Sequence, residues 1–507
     1  MTLPPDMISS AALGTDQGVF RLPRFDGAFG DLLAQIDGAN LEAQLLIAAA
    51  ALKLRAQAGW VPPHATRPLP EPCAPDEIRP CGRQALGHLM VMLDGHYREV
   101  LPEWLRELAR QKKHIPEEAL PLALEAGHKS EPLRDLLRPV IGQRGHWLAA
   151  EATTRQWDWL EPRHAERTWE RGSPEARLAL LKLLRKCDPA RARDLLAGSW
   201  QSQNAFERVS FLQTFEDGLS MEDEPFLEAA LDDRADRIRA AAIRPLAALP
   251  ESRFNQRMRA RALPLLVRSR SGLRRRPVMD VLPCPAYDPA MERDGIGREP
   301  PDGDLPAPLW WSQTALRWTA PSFWCAQWQI GLEELIEAAQ NSDARFSLVS
   351  VLADAAEHTG ESEALFLLLN ADPTLAAQFA ASRHLTPAQR ERLAVMLLNT
   401  HREGFRRGHP AETMLKTLDR SWGRELSEAF LDSLSRYLQR ERIRADSAMR
   451  FMLLEYARVM SLDMKERYLQ ALDVKTSAEQ VWEAIVDEIG LLFDFRREML
   501  AAIDEDD

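Results

Sequence analysis

Apolar residues recur along most of the chain at steps of three and four, the spacing of one buried face of an α-helix. In "TPAQRERLAVMLLNT" (386–400), Leu393, Met396 and Leu397 fall on one such face. "SPEARLALLKLLRKCDPARARDLLAGSW", Ser173 to Trp200, reads as a helix, a two-residue turn and a second helix. Helix starts share one design, a capping residue and then proline: Ser173-Pro174, Asp188-Pro189, Asp372-Pro373 and Thr386-Pro387. Proline loses nothing there, because the first N–H of a helix has no intrahelical partner. Thr386 with Gln389, and Thr476 with Glu479, fit the capping-box spacing. Alternating β-branched runs are scarce, so the pattern predicts an all-α chain. "NAFERVSFLQTFEDGL", "DEPFLEAALDD" and "RADRIRAAAIRPLAALP" follow in series. Helix hairpins of this kind cannot each bury a core alone and must stack, which predicts a helical-repeat α-solenoid.

One unit is specific enough to compare. Asp233, Ile238, Arg239, Ala242 and Leu246 fit D-x4-[VI]-R-x2-A-x3-L, and this stretch resembles the second helix of a HEAT-type repeat. The resemblance implies that Asp233 caps the helix and accepts from an arginine of the adjacent unit. It also implies that Ala242 permits close helix approach and that Ile238 and Leu246 lie on the buried stripe. Elsewhere the spacing is not repeated, so the array is expected to be irregular. Prolines 277, 283, 285, 289, 300, 301, 306 and 308, with glycines 272, 295, 297 and 303, interrupt it. Helices do not propagate through such a stretch, and a long Pro/Gly-rich loop is expected. A softer break falls at Trp60 to Pro80. The organisation expected is therefore an N-terminal helical segment (1–60), a helical array (61–270), a loop (271–308) and a C-terminal helical array (309–507).

Composition narrows the partners. The 507 residues carry 64 Lys+Arg against 76 Asp+Glu, a net charge of −12, which argues against a dedicated nucleic-acid binder but leaves room for a local basic patch. Five scattered cysteines suggest free thiols rather than a disulfide framework. The longest apolar run, Leu45 to Leu52, falls far short of the roughly 20 residues a membrane span needs. The first residues show no basic-then-apolar leader, so a cytoplasmic location is expected.

Candidate chemistry is sparse. Arg268, Arg270, Arg274, Arg275 and Arg276 cluster at the mouth of the long loop, either as a patch for an acidic or phosphate-bearing partner or as a solvated helix end. Trp310, Trp311, Trp318, Trp324 and Trp328 follow; Trp310 and Trp311 join the arginines as a candidate partner-binding patch, although Trp311, Ala315 and Trp318 also have the spacing of a core stripe. His64, Cys73, Cys81 and His88 lack the paired spacing of a zinc site. His401 and His409 flank "REGFRRG", and Asp302-Gly303-Asp304 is only a fragment of a calcium loop. "GQRGHW" reads as a turn between helices. No phosphate loop, nucleophile elbow or H-E-x-x-H motif is present, so no catalytic residue, metal or cofactor is assigned.

"LGTDQ" (13–17), "LPEWL" (101–105), "GQRGHWLA" (142–149), "DEPFLEAALDDR" (223–234) and "RDGI" (293–296) together resemble a bacterial family of uncharacterised helical proteins. The resemblance implies a genomic setting beside MoxR-type AAA ATPases, von Willebrand A-domain proteins and SWIM zinc-finger proteins. "GREPPDGDLPAPLWW" departs from that family's glycine-rich lead into its Trp-Trp helix. The expectation is a non-catalytic protein-interaction scaffold or adaptor with an AAA ATPase or von Willebrand A-domain partner. The alternative is a HEAT-like nucleic-acid module or glycosylase-type enzyme using the arginine cluster.

Overall fold

The computed structural model describes residues 5–14, 22, 24–36, 40–58, 70–152, 157, 159–160, 165–273, 275–301, 305–440, 446–474 and 479–505. Arg274, His64, Asp302–Asp304, Thr476 and residues 60–69 of the break at Trp60 to Pro80 lie outside these residues. The chain divides into two compact units, 1–72 and 73–507. The first holds helices Pro5–Leu13, Ala28–Ala34 and Leu41–Ala58 around a small core of Met7, Leu33, Leu45 and Ala48. The guanidinium of Arg55 covers the rings of Phe25 and Phe29 at 5.1 and 4.5 Å.

The second unit is all-α apart from two two-stranded sheets. In its middle, three helices start 31 residues apart, at Pro174, Ala205 and Asp236. Buried positions keep that register: Leu180, Phe211 and Ala242; Leu181, Leu212 and Ile243; Leu184, Phe215 and Leu246. Arg177, Arg208 and Arg239 keep it too. Arg177 lies over the Trp169 ring at 6.0 Å, and Arg208 over Trp200, again 31 residues on, at 5.2 Å. Each of these arginines also reaches forward along the chain: Arg177 Nη2 donates to Glu207 (2.6 Å) and Arg208 Nη1 to Asp233 (2.7 Å). Asp233 accepts from the Ala235 N–H as well (2.9 Å), just ahead of helix Asp236–Ala247, while an arginine of the preceding unit holds it; the expected cap on the helix's own first N–H groups is not made. Arg239 bonds instead to the Asp233 carbonyl and to Asp236. Ile238, Ala242 and Leu246 are buried.

Local chemistry explains the tight joints. The expected two-residue turn after Cys187 is a single residue, Asp188, which ends one helix and caps the next by accepting from Arg191 N at 3.1 Å. Beneath it lies Arg185, with no exposed surface. Its Nη1 and Nη2 donate to both oxygens of the equally buried Asp223 (3.0 and 2.8 Å), and its Nε to the Asp217 carbonyl (2.9 Å). The remaining donors reach the carbonyls of Gly218 (2.9 Å) and Pro189 (3.4 Å), which accounts for all five N–H groups. Burial opposes the charge on Asp223, but Arg185 prevails and holds its carboxyl below the usual range. Gly218 has φ +57°, and a Cβ there would stand 2.3 Å from the Arg185 carbonyl oxygen, so only glycine fits.

Two expectations from the sequence are corrected. The segment 271–308 is not one loop, and the arginine cluster does not end a helix: Leu266–Ser271 and Arg276–Val281 pair as an antiparallel hairpin, and Ala290–Arg293 forms a short helix. The hairpin was illegible because its outward residues are arginine and serine, which break the β-branched signature. Its buried residues, among them Met279, with Cys284, Met291 and Ile296 further along, belong to the same core as the flanking helices. "GQRGHW" is likewise no turn but the first part of helix Gly142–Glu151, whose second N–H, that of Gln143, is accepted by the Asp76 carboxylate.

The two ends of this unit meet. Helix Glu479–Asp504 packs on Arg83–Leu93 and Leu101–Arg110, and the Phe495 ring stacks on Tyr97 at 4.2 Å. Arg496, fully buried, forks onto Glu103 (2.8 and 2.7 Å) and donates to the carbonyls of Ala457 (2.9 Å) and Met460 (2.8 Å). Arg106 pairs with Asp419 at 2.5 Å. Among the described residues, no helix is long and apolar enough to cross a membrane.

Candidate functional site

The hairpin is where the sequence placed its candidate patch. Its register runs from Leu266↔Val281 to Ser271↔Arg276. The base is fixed: Met279 is fully buried, helix Leu332–Gln340 packs on the second strand, and Asn341 Nδ2 donates to the Pro277 carbonyl at 3.1 Å. Arg268 donates to Glu334, and Arg270 approaches the same carboxylate at 3.8 Å. These two cations are therefore held by the protein's own acid. At the tip the situation reverses. Gly272 (φ +71°) and Arg275 (φ +49°) turn the chain through left-handed backbone, closed by an Arg275 N–H to Gly272 carbonyl bond of 3.0 Å. Leu273 is fully exposed, and Arg275 and Arg276 are exposed and carry no ion pair among the described residues.

Trp310 and Trp311 stand apart from that tip. Both are half-buried against the core; Trp311 Nε1 donates to the Arg298 carbonyl (3.2 Å) and its ring lies 5.2 Å from Tyr287. Among the described residues, no hydrogen bond or cation–π contact joins either tryptophan to the arginines. Trp324 is fully buried and stacks on Trp328 at 5.0 Å.

A second constellation was not foreseen. Helix Leu348–Thr359 presents Asp354, Glu357 and His358 on one face at helical spacing. Arg317 Nε meets Asp354 at 3.0 Å, and Gln378 donates to its other oxygen at 3.3 Å. Ser382 donates to Glu357, which Arg244 approaches at 3.7 Å. The His358 ring stacks on Trp318 at 4.0 Å. Burial drives His358 down to about 4 and also lowers His384, and it raises Asp354 against the pull of Arg317. A protonatable carboxyl beside neutral imidazoles is chemically suggestive. Yet both carboxylates and Trp318 are engaged by groups from other elements, so the cluster serves to tie helices Asp236–Ala247, Ala307–Arg317 and the 376–385 segment together. The signal that would have found it was Asp-x2-Glu-His on an apolar helix.

His401 and His409 do come together, ring centres 5.2 Å apart, with His409 buried and pushed down to about 4 by that burial. Its Nδ1 accepts from the Ala411 N–H at 3.0 Å. Among the described residues, no group of three or more histidines, cysteines and acids is placed to hold a metal.

The phrases that carried the family resemblance fall on charged joints. Glu103 of "LPEWL" receives Arg496. Asp223, Glu228, Asp232 and Asp233 of "DEPFLEAALDDR" take Arg185, Arg257, Arg293 and Arg208. In "RDGI", Arg293 donates to Asp232 (2.6 Å), while the buried Asp294 accepts from Arg257 (2.7 Å) and Arg261 (2.6 Å). The residues 15–17 of "LGTDQ" lie outside the described residues.

The model of the Family of unknown function (DUF5691) matches residues 6–503, so the chain belongs to that family. No curated protein and no solved structure matches it.

Proposed function

We propose that this member of the Family of unknown function (DUF5691) is a non-catalytic protein-interaction scaffold of a bacterial cytoplasmic assembly, contacting its partner through the hairpin tip. One observation carries the reading: Leu273 stands fully exposed on a stalk whose base is fixed, with Arg275 and Arg276 unpaired beside it. A fully exposed leucine adds nothing to the core, and burying it in a partner recovers about 2 kcal/mol. The flanking cations favour an acidic partner face, since they make a locally positive feature on a chain with net charge −12. An AAA ATPase or a von Willebrand A-domain protein is the partner class proposed. The reading requires no cofactor.

The test is affinity capture of the tagged full chain from its native host, followed by mass spectrometry, with Leu273→Ser/Arg275→Glu/Arg276→Glu run in parallel. Recovery of an ATPase or von Willebrand A-domain protein by the parent and its loss in the variant is the expected result. A partner retained equally by both overturns the assignment to the tip. Salt-sensitive retention of DNA, abolished by the same variant, would instead establish the nucleic-acid module.

A further inference from the structure

Where the ends of the second unit meet, a cleft of about 410 Å³ opens between helix Leu101–Arg110, the 132–136 segment and residues 419–421 and 458–459. That volume lies in the range of small-molecule sites. Its apolar wall is made by Pro102, Leu133, Leu136 and Val459.

The polar groups of the cleft divide unevenly between spent and free. The acids are spent: Glu103 accepts Arg496, Asp419 accepts Arg106, and Asp135 accepts Lys186 at 2.6 Å. Glu99, exposed, is the acid that carries no ion pair. Of the arginines, Arg106 is spent on Asp419, while Arg420 and Arg458 keep donors to spare. Arg458 donates from Nε to the Glu455 carbonyl at 3.2 Å, and its terminal nitrogens have no acceptor among the described residues. Arg420 forms a long ion pair with Glu391 at 3.6 Å and, among the described residues, makes no hydrogen bond. Two guanidinium forks beside an apolar wall have the chemistry that recognises a carboxylate or sulfonate attached to an apolar body.

We propose that this seam cleft binds a small amphipathic organic anion, its charged group on Arg420 and Arg458 and its apolar body on Pro102, Leu133, Leu136 and Val459. The ligand would touch elements from both ends of the second unit at once, so occupancy would reinforce the junction made by Arg496 and Glu103. The site is independent of the hairpin tip, and either assignment can fail without the other.

The test uses the intact protein and 8-anilinonaphthalene-1-sulfonate, with the uncharged N-phenyl-1-naphthylamine as a body of the same kind lacking the anion. Fluorescence titration is expected to show one saturable site per chain for the sulfonate. Binding of the neutral analogue should be weaker by about tenfold or more, the share of a charge-assisted hydrogen bond. Arg420→Gln/Arg458→Gln should reduce the sulfonate's affinity by a similar factor, and Arg275→Gln/Arg276→Gln should leave it unchanged. Hydrogen exchange on the parent protein provides a readout that needs no variant: the sulfonate should slow exchange in 99–106 and 458–460. Equal binding of the two probes, insensitivity to the Arg420/Arg458 change, or protection confined to other segments would overturn the proposal.

Discussion

Replacing Arg496 by methionine removes the guanidinium that joins the last helix of the chain to the helix of Glu103. In the parent it makes five hydrogen bonds, to both Glu103 oxygens, to the carbonyls of Ala457 and Met460, and to Ser421 Oγ. Its side chain is wholly buried, and that of Glu103 is 14% exposed. Arg496→Met therefore strands a nearly buried carboxylate and two carbonyls, which costs about 4 kcal/mol, the range for breaking a buried pair from one side. Glu103→Leu in the same chain removes the stranded charge, so the double variant should lose only about 2 kcal/mol, leaving a coupling of about 2 kcal/mol or more. Urea unfolding of the four proteins measures the cycle. Hydrogen exchange locates it: helices Arg83–Leu93, Leu101–Arg110 and Glu479–Asp504 should exchange faster in Arg496→Met, while Pro174–Ala262 should not change. A single variant within about 1 kcal/mol of the parent, or a double as damaged as the single, would refute the reasoning.

Other joints give sharper local outcomes. Gly218→Ala forces a Cβ to within 2.3 Å of the Arg185 carbonyl oxygen at a positive φ, and should cost about 3 kcal/mol in urea unfolding. Asp294→Asn, at a carboxylate that accepts from both Arg257 and Arg261, should cost about 3 kcal/mol and speed exchange in Arg253–Ala262. For pH, burial lowers His358 and His409 from 6.5 to about 4, so below pH 6.5 the unfolded chain binds protons that the folded chain refuses. Stability should thus be full above pH 6.5 and fall towards pH 4, by up to about 1.4 kcal/mol per pH unit for each histidine. His409→Asn, which keeps an acceptor for the Ala411 N–H, should flatten that slope when unfolding is measured between pH 7 and pH 5; an unchanged slope would contradict the assignment.

Helix starts were legible because capping is local. Ser173, Asp188 and Thr386 each accept the backbone N–H that their position in the sequence foretells. Asp372 does so too, but at a single 3-10 turn (Pro373–Leu375), since capping chemistry does not set helix length. The 31-residue register was present in the letters yet easily missed. Only arginine is retained at all three of its polar positions, whereas the packing positions exchange leucine, phenylalanine, isoleucine and alanine freely. The core demands volume and apolarity there, not identity. The meeting of the second unit's ends was beyond reach, because nothing in "LPEWL" or in "DFRREML" states that Glu103 and Arg496 face each other. Long-range ion pairs leave no local pattern. The hairpin was lost for the opposite reason: its local pattern was present, but arginines masked it as a helix end.

That distribution bears on where function is to be sought. A sequence phrase that fixes a buried guanidinium on a buried carboxylate tolerates little change, because losing either partner strands the other at a cost of several kcal/mol. The phrases behind the family resemblance point to architecture: Glu103, Asp223, Glu228, Asp233 and Asp294 are largely buried and each accepts from arginines of the same chain. Groups whose capacity is spent internally have little left for a partner or substrate. The informative residues are then those with capacity to spare beside apolar surface, among them Arg275 and Arg276 beside Leu273, and Arg458 with the loosely held Arg420 in the seam cleft. In a chain of net charge −12, an unpaired arginine is not short of acids to pair with. At both surfaces, arginine donors that the fold does not use stand beside apolar contact, the combination that recognition of an acidic partner or ligand draws on.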